Sequence, residues 1–254
     1  MYPVPRQRAI SAATTLSAAL LAAAAWAPAQ ASSPVETHAL AISWEPAFCL
    51  TNGSKPECQA ETPSGWDNHH FSLHGLWPQS GSYCGVSQTQ KNEDQNGQWN
   101  LLPAVSLAQA TWNELRVEMP GTMSYLERHE WTEHGTCSGD SQQNFFAPTL
   151  GMLDSINASN LGTTVASHVG GSVTLSQLQT AAALDYGQYA KIDIEYLCIS
   201  YSGKSYLEEV RFHMRLPNPL PYSVLSSYMA KPLNPASSGQ LCKSTGSIYI
   251  RSAS

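Results

Sequence analysis

The stretch HEWTEHGTC, His129 to Cys137, places two histidines and two glutamates within six residues. On a helix turning about 100° per residue, Glu133 stands about 40° from His129, Glu130 about 100° and His134 about 140°. All four share one side of the helix, while Trp131 and Thr132 point elsewhere. The pattern is one residue too long for HExxH, the zinc helix of metalloproteases. There the histidines stand at i, i+4, only about 40° apart, and one small ion takes both nitrogens. At i, i+5 the imidazoles are too far round a regular helix to share an ion, so no metal is expected. What remains is a broad face of two imidazoles that titrate near neutrality and two carboxylates. Such a face suits proton transfer on a ligand larger than an ion.

A second cluster lies upstream in NHHFSLHGLWPQ. Read as a strand, it puts His74 on one face with Ser72 and His70, and Phe71 and Leu73 on the other. Gly75 permits a close approach by a partner or substrate. Trp77 offers a flat apolar surface on which a nucleobase could stack, a contact worth roughly 1–3 kcal/mol. His38, His168 and His213 stand outside both clusters and read as surface or core histidines.

Positioning these groups requires elements at both ends of the chain. Thr37 to Trp44 alternates in polarity and reads as a strand leading toward the first cluster. VSLAQATWNELRVEM reads as a helix ending at Pro120-Gly121, and MSYLERHEWTEH as a helix stopped by Gly135. Phe146, Leu150 and Leu153 mark a further helix, and Thr174 with Gln177 has capping-box spacing. KIDIEYLC and EVRFHMRL then alternate with period two, as half-buried strands do, and SIYIR closes the series. Strands early and late with helices between predict an α+β fold, a central, mostly antiparallel sheet with packed helices.

The first 31 residues read as a separate piece. Arg6 and Arg8 precede an Ala/Leu-rich run and then Ala29-Gln30-Ala31, the layout of a cleaved signal peptide. Its strongly apolar part, from Leu16 to Trp26, is short of the ~20 residues a membrane span needs. Residues 32–254 are then expected to form one domain, secreted or periplasmic, with no membrane segment and acting as a monomer. The net charge is −6; the leader takes two arginines and no acid, leaving −8. That argues against a protein that wraps nucleic acid by bulk positive charge, but leaves room for a local site. Six cysteines, Cys49, Cys58, Cys84, Cys137, Cys198 and Cys242, remain in an exported chain and imply disulfides. Spacing alone leaves 15 pairings open.

FSLHGLWP and RHEWTEHGTC, with LAISWEPAFC near the start of the domain, resemble the ribonuclease T2 family of secreted endoribonucleases. The resemblance implies cleavage of single-stranded RNA by its own 2′-OH, through a 2′,3′-cyclic phosphate to a 3′-phosphate, with no cofactor. It implies His74 as the acid that protonates the departing 5′ oxygen and His134 as the base. Glu130 would help stabilise the pentacoordinate phosphorane, and His129 would hold the phosphate. Trp77, Gln79 and Tyr83 fall where base contacts are expected. The family's bridges suggest Cys49–Cys58, Cys84–Cys137 and Cys198–Cys242. One position departs from the pattern: Glu133 stands where a lysine or arginine is usual. Glu133 is expected to raise the histidine pKa values, to lift the acid limb of the pH profile and to weaken catalysis. Arg128 could replace the missing cation. The alternatives are an RNA-binding homologue with impaired catalysis, and a metal-dependent hydrolase using His70, His74, His129 and His134.

Overall fold

The computed structural model describes Met1, residues 36–233, residue 235 and residues 239–253. The expected signal peptide and its cleavage site lie outside the described residues. The strands are β1 (Glu36–Ser43), β2 (Ser72–Pro78), β3 (Ser172–Val173), β4 (Ile194–Tyr201), β5 (Lys204–Leu216) and β6 (Ile248–Tyr249). The helices are α1 (Glu45–Asn52), α2 (Pro56–Ala60), α3 (Gln88–Gln95), α4 (Gln109–Glu118), α5 (Leu126–Glu133), α6 (Gln142–Asn157), α7 (Asn160–Ala166), α8 (Leu175–Tyr186) and α9 (Ala190–Asp193). The fold is α+β. None of the described helices is long and apolar enough to cross a membrane.

The sheet runs β2-β1-β5-β6-β3, with β4 on the other edge of β5. Its pairs are antiparallel except β5 with β6. The period-two pattern of β1, ALAIS, explains how the sheet serves two purposes. Its large residues Leu40 and Ile42 meet Leu76 and Leu73 on one side, and Phe212 and Val210 on the other. These side chains are buried together with Phe145, Phe146, Leu150 and Leu153 of α6. The small residues Ala39, Ala41 and Ser43 line the opposite face. There they lie between Trp77 and Gly75 of β2 and His213, Arg211 and Glu209 of β5.

Three expected elements differ. Tyr125 adopts a left-handed backbone (φ 65°), so α5 begins at Leu126 rather than Met123. α5 also stops at Glu133 and leaves His134 just past its end. Residues Ala190–Asp193 form a helical turn, so the strand starts at Ile194 and Ile192 is exposed instead of facing the core. The third difference concerns His70. It precedes β2, and its ring stacks on Trp66 rather than sharing a strand face with His74.

Disulfides join Cys49 to Cys58, Cys84 to Cys137 and Cys198 to Cys242. Each contributes roughly 2–4 kcal/mol, largely by constraining the unfolded chain. Cys84–Cys137 matters most locally, because it clamps the loop after β2 to the chain just beyond α5. Beside it, the Tyr83 N–H donates to the Glu133 carbonyl at 2.7 Å.

Candidate active site

His74 reaches its position through a defect in pairing. Ala41 faces Gly75 and Ile42 faces Leu73, so His74 is an extra residue in β2 with no partner on β1. Such a bulge bends the strand and re-aims a side chain. The imidazole crosses the small residues of β1, and its Nδ1–H donates to Glu209 Oε2 at 2.6 Å. Arg211 pairs with the other oxygen of Glu209. Burial would lower the His74 pKa, but the Glu209 hydrogen bond and charge, then Glu130, outweigh it and push the imidazole up to about 9. Burial would raise Glu209, yet His74 and Arg211 hold it below the usual carboxylate range.

Glu130 is fully buried on α5. Its Oε2 accepts from Trp77 Nε1 at 2.9 Å. Its Oε1 has no hydrogen-bond partner among the described residues and lies 3.7 Å from His74 Nε2 and 3.9 Å from His129 Nε2. Burial raises the Glu130 pKa against the pull of the two imidazoles. Gly75 makes room for this carboxylate: a Cβ there would stand 1.8 Å from Glu130 Oε2. Gly75→Ala is therefore expected to displace Glu130 and the Trp77 indole and to cost up to about 10²-fold in kcat/KM, the scale of a small misplacement. A kinetic assay on the folded variant checks this. Activity equal to wild type would show that the carboxylate position is unimportant.

His129 is held on both sides. Its Nδ1 is 2.8 Å from Asp94 Oδ1, and its ring stacks on Trp99 with centroids 4.6 Å apart. Its Nε2 faces the site. His134, just beyond α5, lies with its ring 5.5 Å from that of Trp77 and 6.1 Å from that of His129. Burial, then the charges of His129 and His74, push His134 down to about 3.

The structure thus gathers His74, Trp77, His129, Glu130 and His134 around one space. Arg211 also stands 5.1 Å from the Trp77 ring centre. Gln79 sits at the rim, with its amide donating to the Trp77 carbonyl. Tyr83 is engaged elsewhere: its hydroxyl is 2.6 Å from Asp94 and 3.0 Å from Glu133. The expected effect of Glu133 on His134 is not found. Glu133 turns toward Tyr83 and His129 Nε2, at 3.8 Å, because the chain leaves the helix at the next residue. The pKa of His134 is lowered, not raised, and Glu133 is not among the causes. Arg128 does not supply a cation to the site; its guanidinium bonds the carbonyls of Asn100 and Leu102. His38 and His213 are buried on the sheet, and His213 pairs with Glu195 at 2.9 Å.

Four neighbours of the histidines were missed: Glu209, Arg211, Asp94 and Trp99. The first two sit on the polar face of EVRFHMRL, where alternation marks a face but not its partner. Asp94 lies on a wholly polar helix and Trp99 in a short turn, with no periodic signal. A cleft of about 390 Å³ opens beside His74, with Phe48, Lys55 and Trp99 in its wall.

The Ribonuclease T2 family model matches residues 36–223. Ribonuclease I of Escherichia coli is 24% identical over 203 residues, 71% of this chain and 75% of its own length. A probable ribonuclease of Haemophilus influenzae is 31% identical over 140 residues, 51% of this chain but only 46% of its own length. In fold, the chain is similar to a self-incompatibility associated SF11-RNase of Nicotiana alata, with a TM-score of 0.55 and 17% identity. That likeness covers 85% of this chain and 99% of the other.

Proposed function

The chain belongs to the ribonuclease T2 family and is by that membership an endoribonuclease, and we propose that it cuts single-stranded RNA by acid–base catalysis between His134 and His74. The observation that supports this most is the opposite displacement of two imidazoles beside one space. His134, pushed down to about 3, is neutral and can take the proton of a ribose 2′-OH. His74, pushed up to about 9, is charged and can give a proton from Nε2 to the departing 5′ oxygen. Environments that push two pKa values apart assign the base and the acid.

The 2′ oxygen attacks phosphorus, the 5′ O–P bond breaks, and a 2′,3′-cyclic phosphate remains. Water later opens it to a 3′-phosphate, with the two histidines exchanging roles. His129 Nε2, fixed by Asp94, is placed to hold a phosphoryl oxygen. Glu130, with its Oε1 between His74 Nε2 and His129 Nε2, would orient the two imidazoles toward the phosphorane. Trp77 and Gln79 are the proposed base contacts, and the cleft beside His74 would take the nucleotide on the leaving side. The leader and three disulfides support export to an oxidising compartment, secreted or periplasmic.

Two imidazoles supply all the proton transfers, so activity is expected to persist in excess chelator. Loss in chelator, restored by a divalent ion, would move the reaction to metal chemistry. The nucleophile is tested with a DNA oligonucleotide carrying one ribonucleotide. Cleavage is expected only 3′ of that ribose, and cutting of the all-DNA control would overturn the proposal.

A further inference from the structure

Helix α4 ends on Glu118, which is only 8% exposed, and carries Glu114 one turn earlier on the same face. α6 packs against α4 and brings Asp154 to the pair. One carboxylate oxygen from each of Glu114, Glu118 and Asp154 lies within 4.8 Å of the others.

The chain does not answer this charge. Among the described residues, no Lys, Arg or His forms an ion pair with any of the three. The buried Oε2 of Glu118 has no hydrogen-bond partner there either. Arg116 stands in the last turn of α4, but its guanidinium donates to Asn113 Oδ1 at 3.0 Å. The last turn of α6, where Asp154 stands, has no basic residue. Like charges at i, i+4 weaken a helix, and the negative end of the helix dipole disfavours an acid in the last turn. A buried carboxylate keeps its charge only beside a cation or donors. Every one of these features that opposes the acids favours a cation among them.

We propose that Glu114, Glu118 and Asp154 bind a divalent cation through oxygen, calcium foremost, in a structural site that ties the end of α4 to α6. Calcium takes six to eight oxygens at about 2.3–2.6 Å, so two oxygens on one ion stand up to about 5 Å apart. The observed spacing is within that reach. A set made only of carboxylates suits a hard cation rather than one that seeks thiolate or imidazole. Glu114 and Asp154 are exposed, which leaves positions for water. Three protein ligands on an open face predict an affinity on the order of 10⁻⁴–10⁻³ M, as in extracellular calcium modules. The chain after Glu118 runs through the buried Met119 to Gly121 and Leu126 in the cleft wall, so the ion would anchor the segment leading there. None of the three acids belongs to the catalytic centre, and the inference does not rest on the ribonuclease reading.

The test is calcium chloride, titrated calorimetrically into metal-stripped protein near neutral pH at an ionic strength of about 0.15 M, where distant surface charges are screened. One saturable site is expected. A tenfold excess over Kd should raise the melting temperature by about 3–6 °C. Glu118→Gln and Asp154→Asn should each weaken binding by about 10-fold or more. Without calcium, Glu118→Gln has lost the repulsion and should melt no lower than wild type, which shows that it is folded. His134→Ala should bind calcium as wild type does, which separates this site from the histidines. The site would be overturned by the absence of saturable binding up to about 10 mM calcium, ten times the weakest affinity expected. An equal melting shift in both carboxylate variants, or in wild type with sodium chloride of matched ionic strength, would also overturn it. RNA cleavage in chelator judges the catalytic reading and leaves this site to the titration.

Discussion

His134→Ala and His74→Ala are each expected to lower RNA cleavage by roughly 10²-fold or more, the scale of a positioned base or acid. The two residues are far apart in sequence and approach from different elements. His74 comes from a bulge in β2 and His134 from the residue past α5, and Trp77 lies beside both rings. Neither alanine leaves a partner able to replace the lost proton transfer. Glu130 is fixed in place, because its Oε2 accepts from Trp77 Nε1. His168→Ala is the suitable control, since that ring is hydrogen-bonded to the Thr164 carbonyl within its own helical segment. His38 is a poor control because it is buried and its removal disturbs the sheet. Near-wild-type turnover in either folded active-site variant, measured on a single-stranded oligonucleotide, would remove that residue from the mechanism.

Glu209→Gln is expected to act through pH. His74 must be protonated to serve as acid. Its pKa is raised, so the charged form persists until about pH 9, and activity should fall only as pH rises through that value. Burial alone would lower this pKa; the Glu209 hydrogen bond and charge reverse it. Glutamine keeps the shape and loses the charge, so the pKa falls to the ordinary histidine value of about 6.5 or below. The alkaline limb should then move down by about two pH units. At about pH 8.5 the variant should be slower by about 10²-fold, and at about pH 5.5 by far less. His134 sets the acid limb. With its pKa lowered to about 3, the base stays neutral through mildly acid conditions, and the wild-type profile should be broad. A Glu209→Gln profile parallel to wild type, merely scaled down, would mean that Glu209 is structural and does not tune the acid.

Much of this site could be read from residue types and spacing. Two histidine clusters flanked by glycines marked His74, His129, Glu130 and His134, and alternation in β1, β4 and β5 marked the sheet. What escaped depended on contacts across the sheet or on backbone irregularities. Alternation shows that Glu209, Arg211 and His213 share a polar face, but not that small residues in β1 let His74 reach across to Glu209. A strand pattern assumes an even pleat, so it could not foresee that His74 is the bulged residue. A helical wheel assumes constant rotation, so it kept His134 on the helix and placed Glu133 against it. The bulge at His74 breaks the first assumption, and the helix end at Glu133 breaks the second. The His134 ring, placed past the helix end, is lowered by burial and by the charges of His129 and His74 instead of raised by Glu133.

The most direct measurement of the central claim is the chemistry of the ends left on a single-stranded RNA oligonucleotide cut in excess chelator. Mass spectrometry of early products should show a 2′,3′-cyclic phosphate on one fragment and a 5′-hydroxyl on the other, converting slowly to a 3′-phosphate. Fragments with 5′-phosphate and 3′-hydroxyl ends would require water rather than the 2′-OH as the nucleophile, and would contradict the His134 and His74 assignment.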